Sequence, residues 1–308
     1  MKTESRLEHI LDAGQFAVTT ECGPPRGAEP GVIRKKGELL KGFVDAINVT
    51  DNQTSVVRMS SIASCVILKE MGFDPIVQMV TRDRNRIALQ SDILGAAALG
   101  MNNILCLSGD HQTFGDDPEA KNVFDLDSIQ LIQLVKRMRD EGLFPSGKKI
   151  EGSPKMFIGA AENPFAEPLD IRPLRLAKKV DAGVDFIQTQ CIYNLDRFEK
   201  FMDEVRNLGL HKEVKILAGV TPLKSAGMAK FMKKNVAGMD IPDAVIKRLA
   251  DAPKEEQSAV GIEVCVESIC RLRQVEGVAG VHVMAIEWEQ KVPEIVEKAG
   301  LLPRPQVA

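Results

Sequence analysis

The chain has 308 residues, 44% of them hydrophobic, enough for the core of one barrel-sized domain. A formal charge of −3, with one Trp and one Tyr, excludes the basic face or aromatic platform of a nucleic-acid binder. No run reaches the ~20 apolar residues of a membrane span. The charged start MKTESRLEHI lacks the apolar centre of a signal peptide, so a cytoplasmic location is expected.

Residues 3–13 put Leu7, Ile10 and Leu11 on one helical face, as in a short helix closing the bottom of a barrel. Eight apolar runs follow, each ending in a polar or small residue: Phe16–Glu21, Ala46–Asp51, Pro75–Thr81, Ile104–Asp110, Met156–Glu162, Phe186–Gln190, Lys215–Thr221 and Val281–Glu287. Helical stretches separate most of them: Gly31–Phe43, Val56–Met71, Asn85–Leu99 with Asp83 as its cap, Leu126–Glu141, one around Ala177–Val180, and Leu195–Leu208. The stretch from Pro222 to Gly280 is longer than one crossover needs and predicts two or three helices, with Pro242 near the start of one and Val260–Gln274 forming another. A last helix spans Val292–Lys298. Strands alternating with helices predict a parallel sheet, and eight such units predict a single (βα)8 TIM barrel over residues 1–308. It carries an extra N-terminal helix and additional helices between strands seven and eight.

Such a barrel does its chemistry at the C-terminal ends of its strands. Those ends are Glu21, Asp51, Thr81, Asp110, Glu162, Gln190, Thr221 and Glu287, a ring rich in carboxylates and amides. Glu21 lies beside apolar walls, which raise a carboxyl's pKa and let it act as a general acid. The alternative is a structural carboxylate bonded to the Gly23–Gly27 loop. Asp110 follows Ser108 and Gly109; it suits a cation or the N–C–N edge of a heterocycle, or else a turn. Gln190 and Gln78 offer donors and acceptors to a heterocycle, although a buried Gln satisfied by backbone is the commoner case for Gln78. The pair Lys178-Lys179 can reach a phosphate, or form a solvated helix face, the commoner fate. The run Arg82–Arg86 can hold a phosphate at a helix N-terminus, but reads best as a mixed-charge surface turn. The six cysteines show no C-x-x-C spacing and no neighbouring His, so buried thiols and no metal site are expected. No Rossmann fingerprint, Walker loop or nucleophile elbow is present.

The motifs Thr20-Glu21-Cys22-Gly23-Pro24-Pro25, Val49-Thr50, Leu107-Ser108-Gly109-Asp110, Val180-Asp181-Ala182-Gly183, Thr189-Gln190, Gly219-Val220-Thr221-Pro222, Ile241-Pro242 and Gly280-Val281-His282 occur in that order. With them the chain resembles the methylenetetrahydrofolate reductases of the short bacterial type, over about residues 10–303. The resemblance implies a flavin-bearing barrel of one-carbon metabolism, feeding methionine biosynthesis, that reduces 5,10-methylenetetrahydrofolate to 5-methyltetrahydrofolate. It assigns Glu21 as the acid that protonates folate N10, Asp110 as the anion that favours the resulting cation, and Gln190 as a substrate contact. Hydride would pass from flavin N5 to the iminium carbon. The implied flavin contacts are Thr50, Gln78, Ser108, Gly109, Asp110, Phe124, Ala160, Glu162 and Lys179. FAD is the family's cofactor, with FMN as the alternative.

Several positions depart from the family pattern. Gln78 stands for the usual His, Phe124 for Tyr, Glu162 for Tyr, Cys191-Ile192 for an aromatic pair, and Glu287-Trp288 for an Asn-Arg-like pair. They bear on the electron donor, which is NAD(P)H or an electron-transfer partner protein, and on the AMP half of the flavin. The family often assembles as homo-oligomers. Two rival readings remain: a flavin-free pterin-binding methyltransferase barrel, and a non-catalytic subunit of a redox complex.

Overall fold

The computed structural model describes residues 1–306. Eight strands close into one parallel barrel in chain order: β1 (Ala17–Cys22), β2 (Ala46–Val49), β3 (Pro75–Val80), β4 (Asn103–Leu107), β5 (Phe157–Glu162), β6 (Phe186–Cys191), β7 (Lys215–Val220) and β8 (Val278–Val283), with β8 pairing back onto β1. Around them run α1 (Arg6–Asp12), α2 (Pro30–Leu40), α3 (Ser61–Glu70), α4 (Arg86–Ala98), α5 (Ser128–Asp140), α6 (Arg172–Ala182), α7 (Leu195–Asn207), α8 (Ala226–Asn235), α9 (Asp243–Asp251), α10 (Gln257–Leu272) and α11 (Val292–Lys298). Three of these, α8 to α10, fill the long connection between β7 and β8, as its length predicted. No helix among the described residues is long and apolar enough to cross a membrane.

Period-2 alternation sorts each strand into two faces. Val18 and Cys22 of β1, with Val77 and Met79 of β3, face the helices and join the main core. The inward faces stack in layers. The lowest holds Ala17, Ala46, Ile76, Leu105, Phe157, Phe186 and Leu217, and α1 plugs it from below with Leu7, Ile10 and Leu11. Phe157 and Phe186, on the neighbouring strands β5 and β6, stack at 5.1 Å. A Cβ on Gly159 would sit 2.3 Å from the Phe186 ring, so the aromatic fills the space a side chain there would take.

The next layer is polar. Asn48 Nδ2 donates to Gln188 Oε1 at 2.5 Å, and Gln188 Nε2 donates to Asn48 Oδ1 at 3.1 Å and to Thr19 Oγ1 at 3.3 Å. Thr19 Oγ1 and His282 Nδ1 share a hydrogen bond of 2.9 Å. All four side chains are buried. A buried polar layer is stable only when its members satisfy one another, and these do. It forms the floor of the site.

Three local expectations are corrected. The fourth strand ends at Leu107, because Gly109 turns the chain outward at φ 87°, and Asp110 sits on the following loop. The eighth strand starts earlier and ends at Val283. Gly280 is inside it, where a Cβ would come within 2.4 Å of the Ala17 carbonyl. Glu287 lies beyond the strand at φ 49° and ends no strand. Asn85, not Asp83, caps α4, accepting from the Ile87 and Ala88 amides.

Candidate active site

Above the polar layer the C-terminal mouth holds a cavity of about 450 Å³, within the usual range for small-molecule sites. Glu21, Thr50, Gln78, Ser108, Gly109, Asp110, Glu162, Lys179 and Gln190 all line it. Phe124 does not: it lies on the β4–α5 loop at φ 40°, 40% exposed. Nor does the Ala160 side chain, which faces the helices and joins the outer core; its neighbour Ala161 takes the inward position.

Glu21 projects from the end of β1 with its side chain 20% exposed. Burial pushes its pKa up to about 7; a hydrogen bond from Gln78 opposes the rise and the Glu289 charge adds to it. His282 Nε2 lies 4.0 Å from Glu21 Oε1. Burial drives the pKa of that imidazole down to about 3, so it is neutral and the contact is no ion pair. Glu21 therefore holds a proton near neutrality with no cation to expel it.

Asp110 is organised by backbone. Its Oδ2 accepts from the Thr54 amide at 3.1 Å, and its carbonyl accepts from Arg82 Nη1 at 3.0 Å. Arg82 Nη2 also donates to the Asn52 carbonyl at 3.1 Å, and Arg82 pairs with Asp83 at 2.7 Å. The Arg82 side chain is only 2% exposed, so the surface-turn expectation fails at this residue. Arg84 likewise turns inward, onto Asp51 at 2.7 Å, which makes Asp51 a structural carboxylate. Arg86 stays on the surface, paired with Asp125. The loop that Arg82 fastens has three non-glycine residues at positive φ, Asn52, Thr54 and Ser55. Gly115 permits its close packing, since a Cβ there would meet the Ser55 carbonyl at 2.1 Å.

Across the cavity, Lys179 donates to Glu162 Oε2 at 2.5 Å and to the Ala161 carbonyl at 2.6 Å. Both side chains are buried, whereas Lys178 is exposed. On the same face of α6, seven and four residues before Lys179, Arg172 and Arg175 also line the cavity. Arg175 has no hydrogen-bond or salt-bridge partner among the described residues. Sequence inspection passed over both arginines and named His282 only within a motif; the i, i+3, i+7 spacing of Arg172, Arg175 and Lys179 was the available signal for the arginines.

Opposite this stripe, Thr50 Oγ1 is buried with no partner. Gln190 Oε1 accepts from the Cys191 amide at 3.1 Å, which fixes the side chain at the mouth. Of the cysteines, Cys22, Cys65, Cys106, Cys191 and Cys265 are buried and Cys270 is exposed.

The family model for methylenetetrahydrofolate reductase matches residues 6–300. This chain belongs to the methylenetetrahydrofolate reductase family. It is 25% identical to the probable methylenetetrahydrofolate reductase (NADPH) of Caenorhabditis elegans, over 96% of this chain and 44% of that protein. It is 28% identical to methylenetetrahydrofolate reductase 2 of Schizosaccharomyces pombe, over 67% of this chain and 33% of that protein. The 5,10-methylenetetrahydrofolate reductase of Salmonella typhimurium is 22% identical over 94% of this chain and 93% of its own length. The chain thus spans less than half the length of these two eukaryotic relatives and nearly all of the bacterial one. Among solved structures, a Clostridium thermocellum protein that binds two copies of 5-methyl-5,6,7,8-tetrahydrofolic acid shares the fold, with a TM-score of 0.63 and 14% identity over 97% of this chain and 99% of that one. Methylenetetrahydrofolate reductases are oxidoreductases, and the barrel described above is the one the family motifs implied.

Proposed function

We propose that this chain catalyses the flavin-dependent reduction of 5,10-methylenetetrahydrofolate to 5-methyltetrahydrofolate. The observation that carries the proposal is Glu21, a carboxyl with pKa about 7 at the wall of a cavity sized for a flat heterocycle. Glu21 delivers its proton to N10 of the substrate, which opens the five-membered ring. The Asp110 carboxylate, held at the rim by the Thr54 amide, compensates the cation that ring opening leaves. Gln190 presents its amide to the pterin.

The residues around the floor and rim fit a flavin ring system. The unpartnered Thr50 hydroxyl offers a hydrogen bond that no protein group takes, Gln78 supplies an amide beside it, and Gly109 leaves the rim of the mouth without a side chain. Arg175 is the cation available for a phosphate. When bound, the flavin supplies the hydride and takes electrons from its donor. That donor is a nicotinamide nucleotide or a redox protein.

The test is an anaerobic visible spectrum of the purified protein before and after 5-methyltetrahydrofolate. Flavin bands that bleach on addition support the proposal. A protein that neither carries flavin nor can be reconstituted with FAD or FMN overturns it in favour of a flavin-free pterin barrel. On the same sample, reduction by NADH or NADPH without any second protein identifies the donor as a nicotinamide.

A further inference from the structure

The ion pair between Glu162 and Lys179 is built into the cavity wall. Its two side chains are 2% and 7% exposed, and both donor and acceptor are further tied down. Glu162 Oε1 accepts from the Asn163 amide at 3.1 Å; Asn163 in turn accepts from the Phe165 amide and donates to the Ala237 carbonyl. Lys179 spends a second proton on the Ala161 carbonyl. Neither group swings away without breaking a buried, charge-assisted hydrogen bond.

From this arrangement we infer that Glu162 is a specificity-determining residue: it occupies Lys179 as an internal counter-ion and so removes that lysine from phosphate binding. The inference rests on the reading of the cavity as a flavin site. A phosphate oxygen drawn within reach of Lys179 Nζ would enter the neighbourhood of a fixed carboxylate that already lies 2.5 Å from the same nitrogen. Like charges at such separation in a partly desolvated wall oppose one another strongly. Lys179 and Glu162 together carry no net charge. Arg172 donates to the Ala166 and Glu167 carbonyls at 2.6 and 2.8 Å, which leaves Arg175 as the cation free to meet a phosphate. The chain therefore holds a flavin mainly by its ring system and by one arginine, and Lys179 contributes nothing to the phosphate end.

The experiment titrates flavin-free protein with riboflavin, FMN and FAD, following quenching of flavin fluorescence, for the wild type, Glu162→Gln and the double variant Glu162→Gln/Lys179→Gln. The double variant removes both charges and guards against a fold lost to one unpaired buried ion. Glu162→Gln is expected to bind FMN and FAD about tenfold more tightly than wild type, the scale of one charge-assisted hydrogen bond. Its riboflavin affinity is expected to stay within about twofold, below the scale of any such bond. The double variant is expected to bind FMN as the wild type does. The inference is overturned if the double variant loses FMN affinity while keeping that for riboflavin, because Lys179 would then be a phosphate ligand despite its partner. It is also overturned if Glu162→Gln moves riboflavin and FMN equally, or moves neither. Wild-type protein that binds none of the three flavins would instead bring down the flavin reading itself, and this inference with it.

Discussion

Arg82 Nη1 donates to the carbonyl of Asp110 at 3.0 Å, from a side chain that is 2% exposed. The same guanidinium reaches the Asn52 carbonyl, so one buried charge ties the β2–α3 loop to the β4–α5 loop across the mouth. The strain stored at Asn52, Thr54 and Ser55 persists because this tie and the packing at Gly115 over-determine the loop. Lysine keeps the charge and loses the fork. Arg82→Lys is expected to cost about 3 kcal/mol in urea unfolding, the cost of breaking a buried charged network. It is also expected to weaken 5-methyltetrahydrofolate binding, since Asp110 loses its anchor. A variant with unchanged stability and unchanged folate affinity would refute this role.

Glu21 and His282 make opposite contributions to stability across pH. The folded-state pKa of Glu21 is raised from 4.5 to about 7. Its stabilisation relative to the ionised form is full below pH 4.5 and is lost as pH rises through about 7, a change of about 3 kcal/mol at most. The folded-state pKa of His282 is lowered from 6.5 to about 3. Its contribution is full above pH 6.5 and is lost as pH falls toward 3, by about 5 kcal/mol at most. Glu21→Gln is therefore expected to flatten the alkaline limb of the stability profile, and His282→Gln the acid limb. Denaturant unfolding of the three proteins from pH 4 to pH 8 reads both differences. Parallel profiles for wild type and Glu21→Gln between pH 5 and pH 8 would show that Glu21 titrates normally.

Gln78 sets where that acid titrates. Its amide hydrogen-bonds the Glu21 carboxylate and so favours the ionised form, in opposition to burial. Gln78→Leu removes the bond and leaves the desolvation, so the Glu21 pKa rises above about 7. On the proposed mechanism, the rate of the folate half-reaction falls as Glu21 loses its proton, and that fall is expected to move to higher pH in the variant. Stopped-flow absorbance of the reduced protein mixed with 5,10-methylenetetrahydrofolate, repeated across pH, measures it. A limb that moves to lower pH would mean that Gln78 stabilises the protonated acid.

The parts of the site that sequence made legible are those governed by strand alternation. Glu21, Thr50, Gln78 and Gln190 sit at or near strand ends with period-2 parity, and parity alone sends them inward. Ala160 has the opposite parity to Ala161, so its side chain cannot enter the cavity, a point that β5 alternation already contained. The interior of the Arg82–Arg86 run was illegible, because a charged segment looks the same whether its partners are water or the carbonyls of two distant loops. The Glu162–Lys179 pair was hidden for a similar reason: the two lie on different elements, and only closure of the barrel wall brings them together. The eighth strand was expected to run on to Glu287 but covers Val278–Val283, with Gly280 inside it where the Ala17 carbonyl leaves no room for a Cβ.

The lowest barrel layer gives a test of packing that is independent of chemistry. Phe186 stacks on Phe157 of the neighbouring strand, and three carbons of its ring are within 2.7 Å of where a Cβ of residue 159 would be. Gly159→Ala therefore overpacks a layer closed from below by α1 and is expected to destabilise by about 1–3 kcal/mol. If the ring is the cause, shortening it relieves the clash. Phe186→Leu alone opens a cavity and also destabilises, but Gly159→Ala/Phe186→Leu is expected to be more stable than the sum of the single losses requires. A double-mutant cycle from urea midpoints measures that coupling. Strict additivity would mean that the strain of Gly159→Ala is relieved by backbone movement, and that the Phe157–Phe186 stack is not what reserves the space.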